Sequence, residues 1–484
     1  MHRIAAMPGG WNPDEEGVVF IEQDPGPIVI LTAQDTDISG LARAVDQLPH
    51  NFPAVRVASL LALAQPLTID TYGEDVLEKA QVIVIRLLGG VSYWAYGLEV
   101  VQEIEERFGT KVIVIPGDDR PDPILSSRST VPLIEVNQVW RYFTEGGVGN
   151  FRNLLRFLAD RYLDLHHSFE SPQPIPRVGL YPFPVFKIEH PRVGIVFYRA
   201  HYLAGNTEPI DALCQSLISS NLTPVPVFIS SLRDPDVQLD LLSILQPDGE
   251  PAIEVLLNTT SFSLLNPAPL YPASPTTVKD TAELWSQLNV PILQVILSGG
   301  QEEQWRSDTR GLSARDTAMN VALPEVDGRI ITRTISFKGV QTKHPILQTD
   351  VMGYKSVGDR VEFVCDLAAN WVKLRRSDVA DRKVSLILAN YPNRDGRLAN
   401  GVGLDTPQSC VEILRSLKAS GYTVSDIPKD GDQLIQWLTK GVTNDPEGQG
   451  IRPILQTLER SKYTTYFETL PQEVRDGWIV GGSP

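Results

Sequence analysis

The chain has 484 residues, 42% hydrophobic and 21% charged, with a formal net charge of -16. These proportions suit a folded globular protein, and the length allows two to four domains at roughly 100–200 residues each. The charge argues against an extended nucleic-acid surface, which needs clustered Lys and Arg to displace counterions, but leaves room for a local basic pocket. The three cysteines, Cys214, Cys365 and Cys410, are far apart and form no CxxC pair. Neither a zinc knuckle nor a disulfide framework is suggested, and a reducing cytoplasm is the simplest setting. The opening "MHRIAAMPGGWNPDEEG" is not read as a signal peptide, and no stretch approaches the roughly 18 apolar residues of a membrane span.

In chain order, short apolar runs rich in β-branched residues occur at 27–33, 54–60, 80–90 and 111–117, with a helical pattern, "YWAYGLEVVQEIEERFG", before the last of them. Runs apolar on both faces suit parallel strands covered by helices on both sides. Residues 131–165 are helical in pattern with a break at Gly146 and Gly147, and "ESPQPIPRVGLYPFPVF" then reads as an extended linker. A second alternation opens at 192–198, passes through a helix capped near Thr207 and strands at 223–230, 252–260 and 290–300, and closes on a helix with a basic end at 360–376. "KVSLILANYPN" starts a third unit, which has too few strands to complete a sheet before Pro484 and so reads as truncated. The expected fold is α/β: several flavodoxin/Rossmann-like doubly wound parallel-sheet units joined by a helical, Pro-rich linker. The expected division is an N-terminal α/β domain at 1–130, the helical segment and linker at 131–191, a second α/β domain at 192–378 and a further, cut-off α/β unit at 383–484.

Four polar loops fall where strands should end. In "RLLGGVSYWAYG", Ser92 is placed to cap a helix, while Tyr93 and Trp94 offer flat faces either to a neighbouring domain or to a large flat ligand. "YRAHYLAGNTEPID" sets Tyr198, Arg199, His201, Tyr202 and Asn206 before a helix N-terminus, a setting that favours anions, with Arg199 as a carboxylate clamp. In the loop from Ser298 to Ile330, Asn320, Glu325 and Asp327 offer oxygens for a cation or for helix caps; neither GxGxxG nor a P-loop occurs. In "NYPNRDGRLANGVGLDTPQSC", Asn390, Asn393, Asn400 and Asp405 supply oxygens and Arg394 and Arg397 supply guanidinium forks. That mixture suits a substrate with several carboxylates or amides; the bland alternative is a solvated loop that starts a helix at Asp405.

Four stretches, "RLLGGVSYWAYG", "YRAHYLAGNTEPIDAL", "TAMNVALPEVDGRI" and "NYPNRDGRLANGVGLDTPQS", together and in this order resemble the large subunit of aerobic cobaltochelatase, the CobN type. That family is related to the porphyrin-binding H-type large chain of magnesium chelatase. The resemblance implies a cytoplasmic, ligase-type metal chelatase of cobalamin biosynthesis, with hydrogenobyrinic acid a,c-diamide as tetrapyrrole substrate and Co2+ as substrate metal. In the magnesium branch these would be protoporphyrin IX and Mg2+. ATP would be hydrolysed by separate AAA+ partner subunits, which fits the lack of a P-loop. The family's motif H-x-G-x-H-G-x-L-E-W-x-P-G-K, whose His and Glu are its strongest metal-handling candidates, is absent here. The chain is therefore expected to be the N-terminal portion of such a subunit, inactive alone, with no catalytic residue of its own and an unknown metal site. A non-catalytic tetrapyrrole carrier or sensor and a structural scaffold that docks the ATPase partner are the remaining alternatives.

Overall fold

The computed structural model describes residues 20–118, 120–184, 190–247, 249, 251–264, 283–390, 394–443, 445–448 and 450–481. The chain forms two compact units, the first ending at Arg375 and the second starting at Arg376. The first unit begins with β1 (Ile28–Thr32), α1 (Asp35–Val45), β2 (Val55–Ser59), α2 (Pro66–Asp75), β3 (Val82–Leu87), α3 (Ala95–Phe108) and β4 (Lys111–Pro116). These strands make a parallel sheet in the order β2-β1-β3-β4. Successive side chains point to opposite faces of a strand. Accordingly Ile28, Ile30, Val82 and Val84 join one core with α1, while Val29, Leu31, Ile83 and Ile85 join another with α2 and α3.

After the short α4 (Pro123–Ser126), α5 (Leu133–Glu145) and α6 (Gly147–Tyr162) complete the core on the α1 face. The helical run breaks where the sequence predicts: Gly146 and Gly147 have φ of 67° and 83°, a region that strains residues with a Cβ. α1 lies close on α6, since a Cβ on Gly40 would sit 2.5 Å from the Phe151 ring. α1 also reaches the second sheet: Ser39 Oγ donates to the Met352 carbonyl at 3.0 Å, and Arg43 donates to that of Gly205 at 2.6 Å.

The Pro-rich stretch does not hang free. It supplies β5 (Val178–Leu180), antiparallel to a strand of the second sheet. The elements that follow are β6 (Arg192–Tyr198), α7 (Arg199–Ala204), α8 (Glu208–Ser219), β7 (Thr223–Ile229), α9 (Pro235–Leu245), β8 (Val255–Asn258), α10 (Glu283–Leu288) and β9 (Ile292–Ser298). Next come α11 (Glu302–Ser307), α12 (Ala314–Thr317), α13 (Leu323–Val326), β10 (Ile330–His344), β11 (Thr349–Ser356) and α14 (Gly358–Arg376). The order is β11-β10-β9-β8-β6-β7-β5, parallel inside and antiparallel at both edges. β5 pairs only with Val227–Ile229, beyond Pro224 and Pro226, which have no N–H to give a ladder. β10 and β11 were not legible as strands. β10 shifts register between Ile331 and Thr334 and again between Thr334 and Ser336, which breaks its period-two pattern.

The second unit contains α15 (Thr406–Ala419), α16 (Gly431–Leu438), α17 (Arg460–Glu468) and α18 (Gln472–Gly481). Its expected opening strand is not formed. Residues 383–389 belong to no ladder, and the isolated bridges among the described residues are Asn390 with Leu398 and Gly401 with Leu404. Among the described residues no neighbouring strand pairs with the run.

Candidate functional site at the carboxyl edge of the second sheet

β6, β8 and β9 are parallel, so their carboxyl ends share one edge of the sheet, where open α/β folds bind ligands. Tyr198 ends β6 and donates its hydroxyl to the Ser261 carbonyl at 3.1 Å; burial pushes its phenol up to about 12. His201, in the first turn of α7, stacks near Tyr198, with ring centres 6.4 Å apart, and meets Tyr354 of β11 edge-on at 5.3 Å. Burial, reinforced by the charge of Lys338, lowers the imidazole to about 4, so it is neutral near pH 7. Burial, then Asp316 and Asp35, raise the Tyr354 phenol well above its usual value.

Lys338 lies level with the end of β9: its N–H donates to the Gly300 carbonyl at 3.0 Å. Its ammonium pairs with Asp35, at the start of α1 just past the carboxyl end of β1. The carboxyl edges of the two sheets therefore meet at this ion pair. Asp316 organises the floor, accepting from Ser298 Oγ at 2.7 Å, from the Gly299 N–H at 3.2 Å and from Asn320 Nδ2 at 3.1 Å. Asn320 in turn accepts from Ser261 Oγ at 2.6 Å. The edge thus offers two phenols, a neutral imidazole and a neutralised ammonium–carboxylate pair, a surface suited to a flat conjugated molecule with polar rim groups. Among the described residues no group of three or more His, Cys, Asp or Glu is arranged to hold a metal ion. A cavity of about 770 Å3 lies elsewhere, bounded by Gln23, Asp24, Thr71, Lys79 and Lys343, and includes none of these residues.

Several residues singled out from the sequence have structural work instead. Arg199 is engaged within the chain: Nε donates to the Pro176 carbonyl at 2.9 Å, Nη2 to those of Ile175 at 2.9 Å and Glu145 at 3.0 Å, and Nη2 lies 3.9 Å from the Glu145 carboxylate. Those carbonyls belong to the end of α5 and the Pro-rich stretch, which lack donors of their own. Tyr202 stacks on Phe228 at 4.4 Å inside a core. Asn206 Oδ1 accepts from the Tyr354 N–H at 3.0 Å, holding β11. Asp327 pairs with Arg329 at 2.7 Å, both side chains almost fully buried, and accepts from the Leu264 N–H at 2.8 Å. Glu325 is exposed.

In the first sheet Ser92 does not cap α3, whose N-cap position is Trp94. Trp94 is a core residue with its indole N–H on the Leu63 carbonyl at 2.9 Å, while Tyr93 is 47% exposed. In the second unit Asn393 lies outside the described residues. Asp405 caps α15 by accepting from the Gln408 N–H at 3.1 Å, as the bland alternative anticipated. Arg394, Arg397 and Asn400 are exposed, and Asn390 is half-buried. Sequence reasoning missed Asp35, Asp316, Lys338 and Tyr354. Asp316 carried one signal, the Ser313-x-x-Asp316 cap at the start of α12.

The sequence profile of the CobN/Magnesium Chelatase family matches residues 140–479. The aerobic cobaltochelatase subunit CobN of Pseudomonas aeruginosa is 38% identical over 99% of this chain, and that of Sinorhizobium sp is 37% identical over 98%. The H-type magnesium-chelatase chain of Rhodobacter capsulatus is 28% identical over 61%. The chain spans only 38% of the length of the two CobN subunits and 26% of the Rhodobacter protein. The solved catalytic subunit of cobaltochelatase from Mycobacterium tuberculosis superposes with a TM-score of 0.67 at 30% identity, covering 94% of this chain and 36% of that one. With the family profile running through the second sheet and the second unit, this chain belongs to the CobN/Magnesium Chelatase family.

Proposed function

We propose that the chain is the N-terminal, tetrapyrrole-binding part of the large subunit of an ATP-dependent cobaltochelatase, which inserts Co2+ into hydrogenobyrinic acid a,c-diamide in cobalamin biosynthesis. The observation that carries the cobalt branch is the 38% identity to a CobN subunit over 99% of the chain, against 28% over 61% for an H-type magnesium-chelatase chain. Protoporphyrin IX with Mg2+ is the alternative. In this reading the enzyme is a cytoplasmic ligase, AAA+ partner subunits hydrolyse the ATP, and this chain alone does not insert metal. Tyr198 and His201 contact the ring at the carboxyl edge. Arg394 and Arg397, both exposed, meet carboxylates or amides on its rim. We read both sheets as doubly wound, flavodoxin/Rossmann-like units, supported by helices on both faces, and retain the division at 1–130, 131–191, 192–378 and 383–484.

The test is an absorbance titration of the chain with hydrogenobyrinic acid a,c-diamide and with protoporphyrin IX. The corrinoid precursor should bind at least about tenfold more tightly, a difference of about 1.4 kcal/mol. Equal binding, or a preference for the porphyrin, would overturn the cobalt assignment.

A further inference from the structure

The ion pair where the two carboxyl edges meet is built differently from the closed pairs of the same unit. Asp37–Arg86 is buried and locked by further bonds: Thr32 Oγ1 donates to Asp37, and Arg86 donates to the Gly117 carbonyl. Asp327–Arg329 is almost fully buried, and Arg329 also donates to the carbonyls of Thr260 and Phe262. Lys338 and Asp35 instead keep 20% and 22% of their side chains exposed. Among the described residues no third group is hydrogen-bonded to either side chain. Asp35 is also placed to do without the lysine. It stands in the first turn of α1, where Gln34 provides no side-chain cap, and a carboxylate there faces the positive end of the helix. Lys338 is the cross-strand partner of Tyr354, so the two side chains share one face of the second sheet. The Tyr354 ring in turn meets His201 at 5.3 Å. An openable cation therefore borders the rings that the edge presents to a flat molecule.

We propose that Lys338 is a specificity-determining residue of this edge: a carboxylate on the tetrapyrrole rim displaces Asp35 from its ammonium, and Asp35 stays behind on the end of α1. The inference rests on the reading of this edge as the tetrapyrrole site. It does not depend on the branch, since hydrogenobyrinic acid a,c-diamide and protoporphyrin IX both carry carboxylates. A neutral macrocycle gains nothing by opening the pair, so the exchange selects acids over their esters. It costs one tie between the sheets, while α1 keeps its packing on Phe151 and its bonds to the Met352 and Gly205 carbonyls.

Absorbance titrations of the 484-residue chain test this, using both tetrapyrroles and the methyl esters of each. The proteins are the parent, Lys338→Met, Asp35→Asn and, to control for net charge, Asp240→Asn, which removes an exposed carboxylate of α9. Urea unfolding is measured on all four. Lys338→Met should weaken binding of the acids about tenfold or more, the effect of losing one charged contact, and leave the esters unchanged. Asp35→Asn should tighten the acids about three- to fivefold, because the ligand no longer has to open a partly exposed pair. Both variants should lose similar stability, since both lose the pair. A pair that only ties the sheets together would move binding in the same direction in both variants. Acid binding untouched by Lys338→Met, acid binding that Asp35→Asn fails to tighten, equal losses for acid and ester, or Asp240→Asn matching Asp35→Asn would each overturn the proposal. A parent that binds no tetrapyrrole would remove the site and this inference together, whereas a parent that binds, with variants that do not differ from it, would remove Lys338 alone.

Discussion

At the scale of residues, the contrast between Arg199 and His201 is instructive, because they stand two positions apart in one short helix and meet different surroundings. Arg199 is consumed by carbonyls that the Pro-rich stretch and the end of α5 leave without donors. Nothing in the sequence near Arg199 announces that need, since Glu145 and Ile175 are far away along the chain. His201 is held neutral by burial and by Lys338. Its folded value of about 4 lies below the ordinary 6.5, so between those values the unfolded chain binds the proton more readily. The stability it contributes is therefore complete above pH 6.5, falls as the pH drops from there towards 4, and changes no further below. For this half-buried ring the loss should reach about 2 kcal/mol. His201→Gln should flatten that part of the stability–pH curve in urea unfolding, and by NMR the parent His201 ring should not titrate between pH 8 and about 5. A His201 titrating near 6.5 would remove the neutral imidazole from the site.

At the scale of elements, legibility followed the covering of each strand. β1 and β3 were readable because both their faces are buried, which makes a continuous apolar run. β10 was not, since its bulges and half-exposed ends mix Thr, Arg, Lys and Ser into the pattern. The consequence reaches the site: Lys338 and Tyr354 sit on β10 and β11, and without those strands neither had an address. Helix starts were easier. The Asp405-Thr-Pro sequence marks the N-cap of α15, and the structure makes that bond. Asp405→Ala should then cost about 1 kcal/mol in the stability of the second unit, the usual value for losing a cap. It should leave the tetrapyrrole titration unchanged. A loss of binding with unchanged stability would return Asp405 to the substrate contacts.

At the scale of the whole molecule, the strand–helix alternation gave the α/β class, but the pairing of Asp35 with Lys338 spans 303 positions and no local pattern encodes it. The net charge of -16 also acts at this scale. A ligand bearing carboxylates is repelled at long range, whatever the site itself offers. Raising ionic strength from about 0.01 to about 0.15 M shortens the screening length from about 30 to about 8 Å. Association of an anionic tetrapyrrole should therefore quicken severalfold in stopped-flow mixing, and slower association at higher salt would reveal a local attractive field strong enough to outweigh the global one. α1 sets the mechanical side of the same encounter. Its packing on Phe151, its bonds to Met352 and Gly205 and the Asp35–Lys338 pair bolt it to both sheets at once. Swinging one sheet away from the other would shear all of these together. The frame is therefore stiff, and motion at the carboxyl edges falls to the loops there and not to a clam-shell stroke of the two sheets.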